Sequence, residues 1–125
     1  MKKKILVVDD ELPIIRLLTL RLKASNFDVI SANDGYECVE TAKAELPDLI
    51  LLDIKMPAGG GINAFKSLKK LDSTKSIPVI FITAYPSAEV KKMVMDMGAQ
   101  GFIAKPFDTG LLTNSVNKIL FPEIN

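Results

Sequence analysis

The chain contains no histidine and one cysteine, so its available chemistry rests on carboxylates, hydroxyls and lysine ammonium groups. Those groups stand at four places that each close an apolar run. Asp9 and Asp10 follow residues 4–8, Asp53 ends 48–53, Thr83 ends 78–83, and Lys105-Pro106 follows 101–104. If the runs are strands of one parallel sheet, their carboxyl ends share a rim, and that rim is where open α/β sheets bind ligands. Three carboxylates meeting there would repel one another unless a cation were present. Mg2+ favours such hard oxygen donors, with Mn2+ as the alternative ion. Asp53 could then attack phosphorus and form an acyl phosphate, while Lys105 brings a point charge to one phosphoryl oxygen and the Thr83 hydroxyl donates to another. A cis Lys105-Pro106 bond, accessible because the second residue is proline, would aim the lysine into the site.

The elements that must position these groups follow from the apolar pattern. Lys4-Ile-Leu-Val-Val8 is apolar without alternation, as a central strand covered on both faces requires. Pro13 suits a first helical turn, and Ile14, Leu17, Leu18 and Leu22 recur at helical spacing behind it. Ile15 and Leu20 exceed what one stripe needs, and read as crowded core or as a docking patch. Residues 27–32 predict a second strand and 36–45 a second helix, stopped before Pro47. A third strand over 48–53 leads through a glycine-rich loop to a helix over 62–71. The fourth strand covers 78–83, and its helix over 87–97 is closed by Gly98. The fifth strand covers 101–104. Asp108 or Thr109 opens a last helix to Leu120, with Leu112, Val116 and Ile119 inward. Cys38 reads as a small core residue. Met93, Met95 and Met97 read as packing on the fourth helix, with Met95, Lys91 and Lys92 turned outward. Strict βα alternation with right-handed crossovers predicts an α/β, doubly wound, five-stranded parallel sheet of order 2-1-3-4-5 with five helices, as one domain over residues 1–125.

The totals exclude several other classes. A 125-residue chain that is 48% hydrophobic and 25% charged can bury a core of its own. Its 16 basic and 15 acidic side chains nearly cancel, so no direct binding of nucleic acid is expected. No apolar run is long enough to span a bilayer, so no membrane role is expected. The lone Cys38 excludes an internal disulfide and agrees with a cytoplasmic location.

In order, strand position and spacing, Asp9-Asp10, Asp53, Thr83 and Lys105-Pro106 resemble the response-regulator receiver domains. Met56-Pro57 and Gly61 after the acceptor, Gly98-Ala99 before the last strand and Phe102 within it belong to the same likeness, which covers essentially the whole chain. The resemblance implies a flavodoxin-like fold and a phosphoacceptor switch of a two-component or phosphorelay system. It makes Asp53 the phosphorylated residue, Asp10 a direct metal ligand, Asp9 a ligand through water or an orienting group, and the Lys55 carbonyl a further ligand. Thr83 and Phe102 become the switch pair, and the face of the fourth helix, fifth strand and fifth helix carries the signal downstream. The donor is expected to be a sensor histidine kinase or a histidine phosphotransfer protein, and the downstream effector is left open. A monomer or a weak phosphorylation-dependent dimer is expected, with no enzymatic activity beyond self-phosphorylation and slow self-dephosphorylation.

Two departures stand out. Gly60 replaces the acidic residue many relatives carry before the final glycine, which suggests a looser or differently turned loop. Lys55 and Tyr85 occupy flanking positions that, in such domains, influence the lifetime of the acyl phosphate. Rival classes are also open to inspection. A phosphohydrolase working through an aspartyl phosphate would carry an acid where Lys55 stands, and a flavin-binding module would need a serine- or threonine-rich loop where Asp9-Asp10-Glu11 stands. That acidic run also suits a plain helix start facing the helix dipole.

Overall fold

Runs of valine, isoleucine and leucine that do not alternate with polar residues bury both faces of a strand, and three such runs lie at the centre of this sheet. The computed structural model describes residues 2–56 and 60–123. Its elements are β1 (Lys4–Val8), α1 (Leu12–Ala24), β2 (Asp28–Ala32), α2 (Gly35–Glu45), β3 (Leu49–Asp53), α3 (Gly60–Lys70), β4 (Val79–Thr83), α4 (Ala88–Asp96), β5 (Gly101–Ala104) and α5 (Thr109–Leu120). The five strands are parallel and ordered β2-β1-β3-β4-β5, as the sequence predicts. Every residue of β3 and β4 is buried. Among the described residues, no helix is long and apolar enough to cross a membrane.

Alternate strand residues point to opposite faces, so the sheet divides the core in two. Leu6, Val8, Ile50, Leu52 and Phe81 face α2, α3 and α4, where they meet Cys38, Phe65, Leu68 and Val94. The rings of Phe65 and Phe81 meet edge to face with centroids 5.2 Å apart. Ile5, Val7, Leu49, Leu51, Ile80 and Ile82 face α1 and α5, where they meet Leu18, Leu22, Leu112 and Val116. Cys38 is fully buried, as expected, and burial first and the charge of Asp34 second push its thiol up to about 12.

The structure corrects the phase of α1. Its buried stripe is Ile15, Leu18 and Leu22, whereas Leu17 and Leu20 are exposed. Neighbouring helical residues lie 100° apart, so Leu17 and Leu18 cannot both face the sheet, and the spacing i, i+3, i+7 selects Ile15 instead. On α4, Met93 as well as Met95 is exposed, and Met97 alone of the three packs against the core. Asp108 caps α5, its carboxylate accepting the N–H groups of Gly110 and Leu111. Phe27 stays outside β2 because its N–H closes α1 by donating to the Leu22 carbonyl. Of the loop after β3, Pro57, Ala58 and Gly59 lie outside the described residues.

Candidate functional site

The pleat of β1 ends at Val8, and the chain carries straight on so that the Asp9 N–H donates to the Ala32 carbonyl at 3.2 Å. This anchors a fully buried carboxylate at the rim. Asp9 Oδ1 accepts the Glu11 N–H at 2.9 Å. Asp53 and Thr83 end the two most buried strands and are 4% and 1% exposed. The Thr83 hydroxyl accepts the Tyr85 N–H at 3.0 Å, and the Thr83 carbonyl accepts the Lys105 N–H at 2.7 Å. The Lys105-Pro106 peptide is cis.

These strand ends bring their side chains together. Lys105 Nζ lies 2.8 Å from Asp9 Oδ2, 3.4 Å from Glu11 Oε2 and 3.5 Å from Asp53 Oδ2. Asp10, Glu11, Asp53, Lys55, Ala84, Tyr85 and Lys105 line one depression above them. Burial, followed by the negative charge of Asp9, raises the Asp53 carboxyl to about 6; Lys105 pulls the other way and Asp10 adds to the rise. Burial alone would lower the Lys105 pKa, but contact with Asp9 and the charges of Asp53, Asp9 and Glu11 outweigh it and the net shift is upward. The lysine is therefore a permanent cation at neutral pH.

One carboxylate oxygen each from Asp9, Asp10 and Asp53 lie within 4.8 Å of one another. Asp9 Oδ2 is fully buried and pairs with the Lys105 ammonium at 2.8 Å. A closely spaced set of three hard anionic donors, offset by only one ammonium, fits a divalent cation such as Mg2+.

Of the residues singled out in the sequence, Asp9, Asp10, Asp53 and Lys105 meet, Lys55 lines the depression, and Thr83 ends the neighbouring strand with its hydroxyl on the Tyr85 N–H; Phe102 stands apart. Phe102 sits on β5 in register with Phe81 and packs against the core beneath α4, away from the depression. Two contacts escape the sequence pattern. Glu11 reaches Lys105 across 94 positions, and Lys55 Nζ stacks 4.3 Å above the Tyr85 ring. Gly60 adopts φ +73°, so the turn into α3 is built on glycine, a differently turned loop as the sequence suggests. Gly61 is packed so closely that a Cβ would lie 2.0 Å from the Asp53 carbonyl oxygen.

Comparison with known proteins agrees with this geometry. A match to the response regulator receiver domain covers residues 5–117. The alkaline phosphatase synthesis transcriptional regulatory protein PhoP of Bacillus subtilis (strain 168) is 39% identical over 120 residues, which make up 96% of this chain and 49% of that protein. The chain spans about half the length of the curated relatives it matches. Among solved structures, chemotaxis protein CheY4 of Vibrio cholerae is similar with a TM-score of 0.90 at 28% identity, covering 96% of this chain and 100% of that one. CheY in the CheX–CheY–BeF3–Mg complex of Borrelia burgdorferi gives a TM-score of 0.88 at 31% identity, covering 94% and 88%. By sequence, by fold and by the match over most of its length, this chain belongs to the family of response regulator receiver domains.

Proposed function

We propose that Asp53 accepts a phosphoryl group from a partner's phosphohistidine and that the resulting charge switches the α4–β5–α5 face. The observation that carries this proposal is the meeting of Asp9, Asp10, Asp53 and Lys105 at one rim, with Thr83 at the end of the neighbouring strand. An Asp53 oxygen bonds to phosphorus while the bond from phosphorus to the donor's ring nitrogen breaks; the electron pair stays with that nitrogen, which then takes a proton. Since these 125 residues hold no histidine, the phosphohistidine lies outside them, on a sensor histidine kinase or a histidine phosphotransfer protein.

Asp9, Asp10 and Asp53, together with the Lys55 main-chain carbonyl, would hold Mg2+ or Mn2+. When bound, the ion neutralises charge that develops on the transferring oxygens. Lys105, already beside Asp53 Oδ2, meets one phosphoryl oxygen. Thr83 keeps its hydroxyl proton for another, because its oxygen serves as acceptor toward Tyr85. The new group brings about −1.5 to −2 charges and draws Thr83 toward it. Phe102, on the strand next to Thr83, turns into the vacated space, and the outer face repacks. The chain catalyses its own phosphorylation and slow dephosphorylation and turns over no other substrate. Relatives named for transcription and for chemotaxis support a signalling role while pointing to different outputs. A cytoplasmic location and a monomer or weak phosphorylation-dependent dimer complete the proposal.

Incubation with Mg2+ and a small phosphodonor is expected to add the mass of one phosphoryl group, removable by hydroxylamine as acyl phosphates are. No added mass, or a group stable to hydroxylamine, would reject the proposal. Mg2+ is also expected to raise the melting temperature, because a ligand that binds only the folded chain stabilises it by about 1.4 kcal/mol at ten times its Kd. With Asp53 titrating at about 6, protons compete with the ion, so the rise should be larger at pH 7.5 than at pH 5. Calorimetric scans with and without chelator would show this, and an equal rise at both pH values would count against Asp53 as a ligand.

A further inference from the structure

Lys105 has three anionic neighbours, and two of them also belong to the carboxylate cluster that fits a divalent cation. Asp9 and Asp53 cannot satisfy a cation and an ammonium equally, because two positive charges sharing the same oxygens repel one another. Glu11 is the third neighbour. It stands outside the cluster, its side chain is 60% exposed, and its Oε2 accepts a long hydrogen bond of 3.4 Å from Lys105 Nζ. The shorter contact, 2.8 Å to Asp9 Oδ2, is to a carboxylate that a bound cation would share.

Two further observations separate Glu11 from an ordinary acidic helix start. It is the N-cap residue of α1, yet its side chain accepts no capping hydrogen bond, so the carboxylate is not engaged by the helix. Its main-chain N–H donates to Asp9 Oδ1 at 2.9 Å. One residue therefore steadies a carboxylate of the cluster through its backbone and faces the lysine with its side chain.

We propose that Glu11 is a positioning residue that retains Lys105 at the rim when a divalent cation occupies Asp9, Asp10 and Asp53. The proposal rests on the metal-assisted acceptor role given above. As the cation takes over Asp9 and Asp53, the ammonium shifts its weight to Glu11 and stays within reach of the incoming phosphoryl group. Without Glu11 the lysine competes for the cluster while it is empty and swings into solvent once the cation is bound.

Mg2+ titration by calorimetry of wild type, Glu11→Gln, Lys105→Met and the double variant tests this. Glu11→Gln is expected to weaken Mg2+ binding about threefold, the scale of a partly exposed ion pair, and Lys105→Met to strengthen it. In the Lys105→Met background, Glu11→Gln should have a clearly smaller effect. Equal losses in both backgrounds would mean that Glu11 acts only as a general negative charge, and would overturn the proposal. The NMR signal of the Lys105 ε-methylene gives a second readout. It is expected to remain shifted from that of solvated lysines in Mg2+-loaded wild type and to move toward them in loaded Glu11→Gln; an unchanged signal would also overturn the proposal. Failure of the wild type to bind Mg2+ would instead overturn the acceptor role itself.

Discussion

Asp53→Asn is expected to abolish labelling by a small phosphodonor, by at least about a thousandfold, while making the metal-free protein more stable at neutral pH. The loss follows from chemistry, since a neutral amide is a poor nucleophile toward phosphorus. The gain follows from burial. The folded carboxyl titrates at about 6 against an ordinary 3.8, so between those values the native chain keeps a proton that the unfolded chain has released. Stability therefore falls as pH rises through this window, and the deficit is complete above it. Asparagine removes that deficit, with an expected gain of about 1–2 kcal/mol at pH 7 that vanishes near pH 4. Denaturant melts at the two pH values, with chelator present, would measure it. Equal or lower stability of the variant at pH 7 would refute the burial argument without touching the labelling result.

Gly61→Ala is expected to injure fold and site together. The added methyl would lie 2.0 Å from the Asp53 carbonyl oxygen, 2.9 Å from its carbon and 3.0 Å from the Ile54 Cα. All three are backbone atoms, and β3 is hydrogen-bonded to β1 on one side and β4 on the other, so nothing nearby can give way. An expected loss of about 3 kcal/mol would lower the melting temperature by roughly 10–15 °C. Labelling should fall as well, because the displaced segment carries the acceptor. Gly98→Ala supplies the contrast. It meets only the flexible end of Lys69 at 3.9 Å, and its φ of +105° leaves backbone strain of about 1–2 kcal/mol. A Gly61→Ala protein as stable as the Gly98→Ala protein would show that the turn into α3 relaxes.

The sheet order and the rim chemistry were legible because they rest on strong local patterns. Three strands without polar alternation must lie in the interior, and each ends on a residue with chemistry: Asp9 just past β1, Asp53 and Thr83 at the ends of β3 and β4. The phase of α1 was only half legible: Leu18 and Leu22 lie on the predicted stripe, but Ile14, Ile15 and Leu17 are equally apolar, and contact with the sheet buries Ile15 and leaves Leu17 exposed. Glu11 was legible as an acidic helix start and not as the partner of a residue 94 positions away, because such a contact exists only after the sheet has closed. The stacking of Lys55 on Tyr85 has the same origin, with two loops from neighbouring strands brought side by side. The sequence pattern starts the third helix near Ile62 and the structure starts it at Gly60, because a glycine pair reads as loop and only the fold supplies the Gly61 N–H bond to the Ile54 carbonyl.

Every residue of β5 is at least partly exposed, and the strand is hydrogen-bonded to β4 alone. Rigidity is therefore graded across the molecule, from a stiff middle that carries the carboxylates to a pliant margin that carries Phe102. A disturbance at that margin strains a single ladder and leaves both halves of the interior intact. Reshaping the border is thus within reach of one charged group, whereas reshaping the centre would mean unfolding the protein.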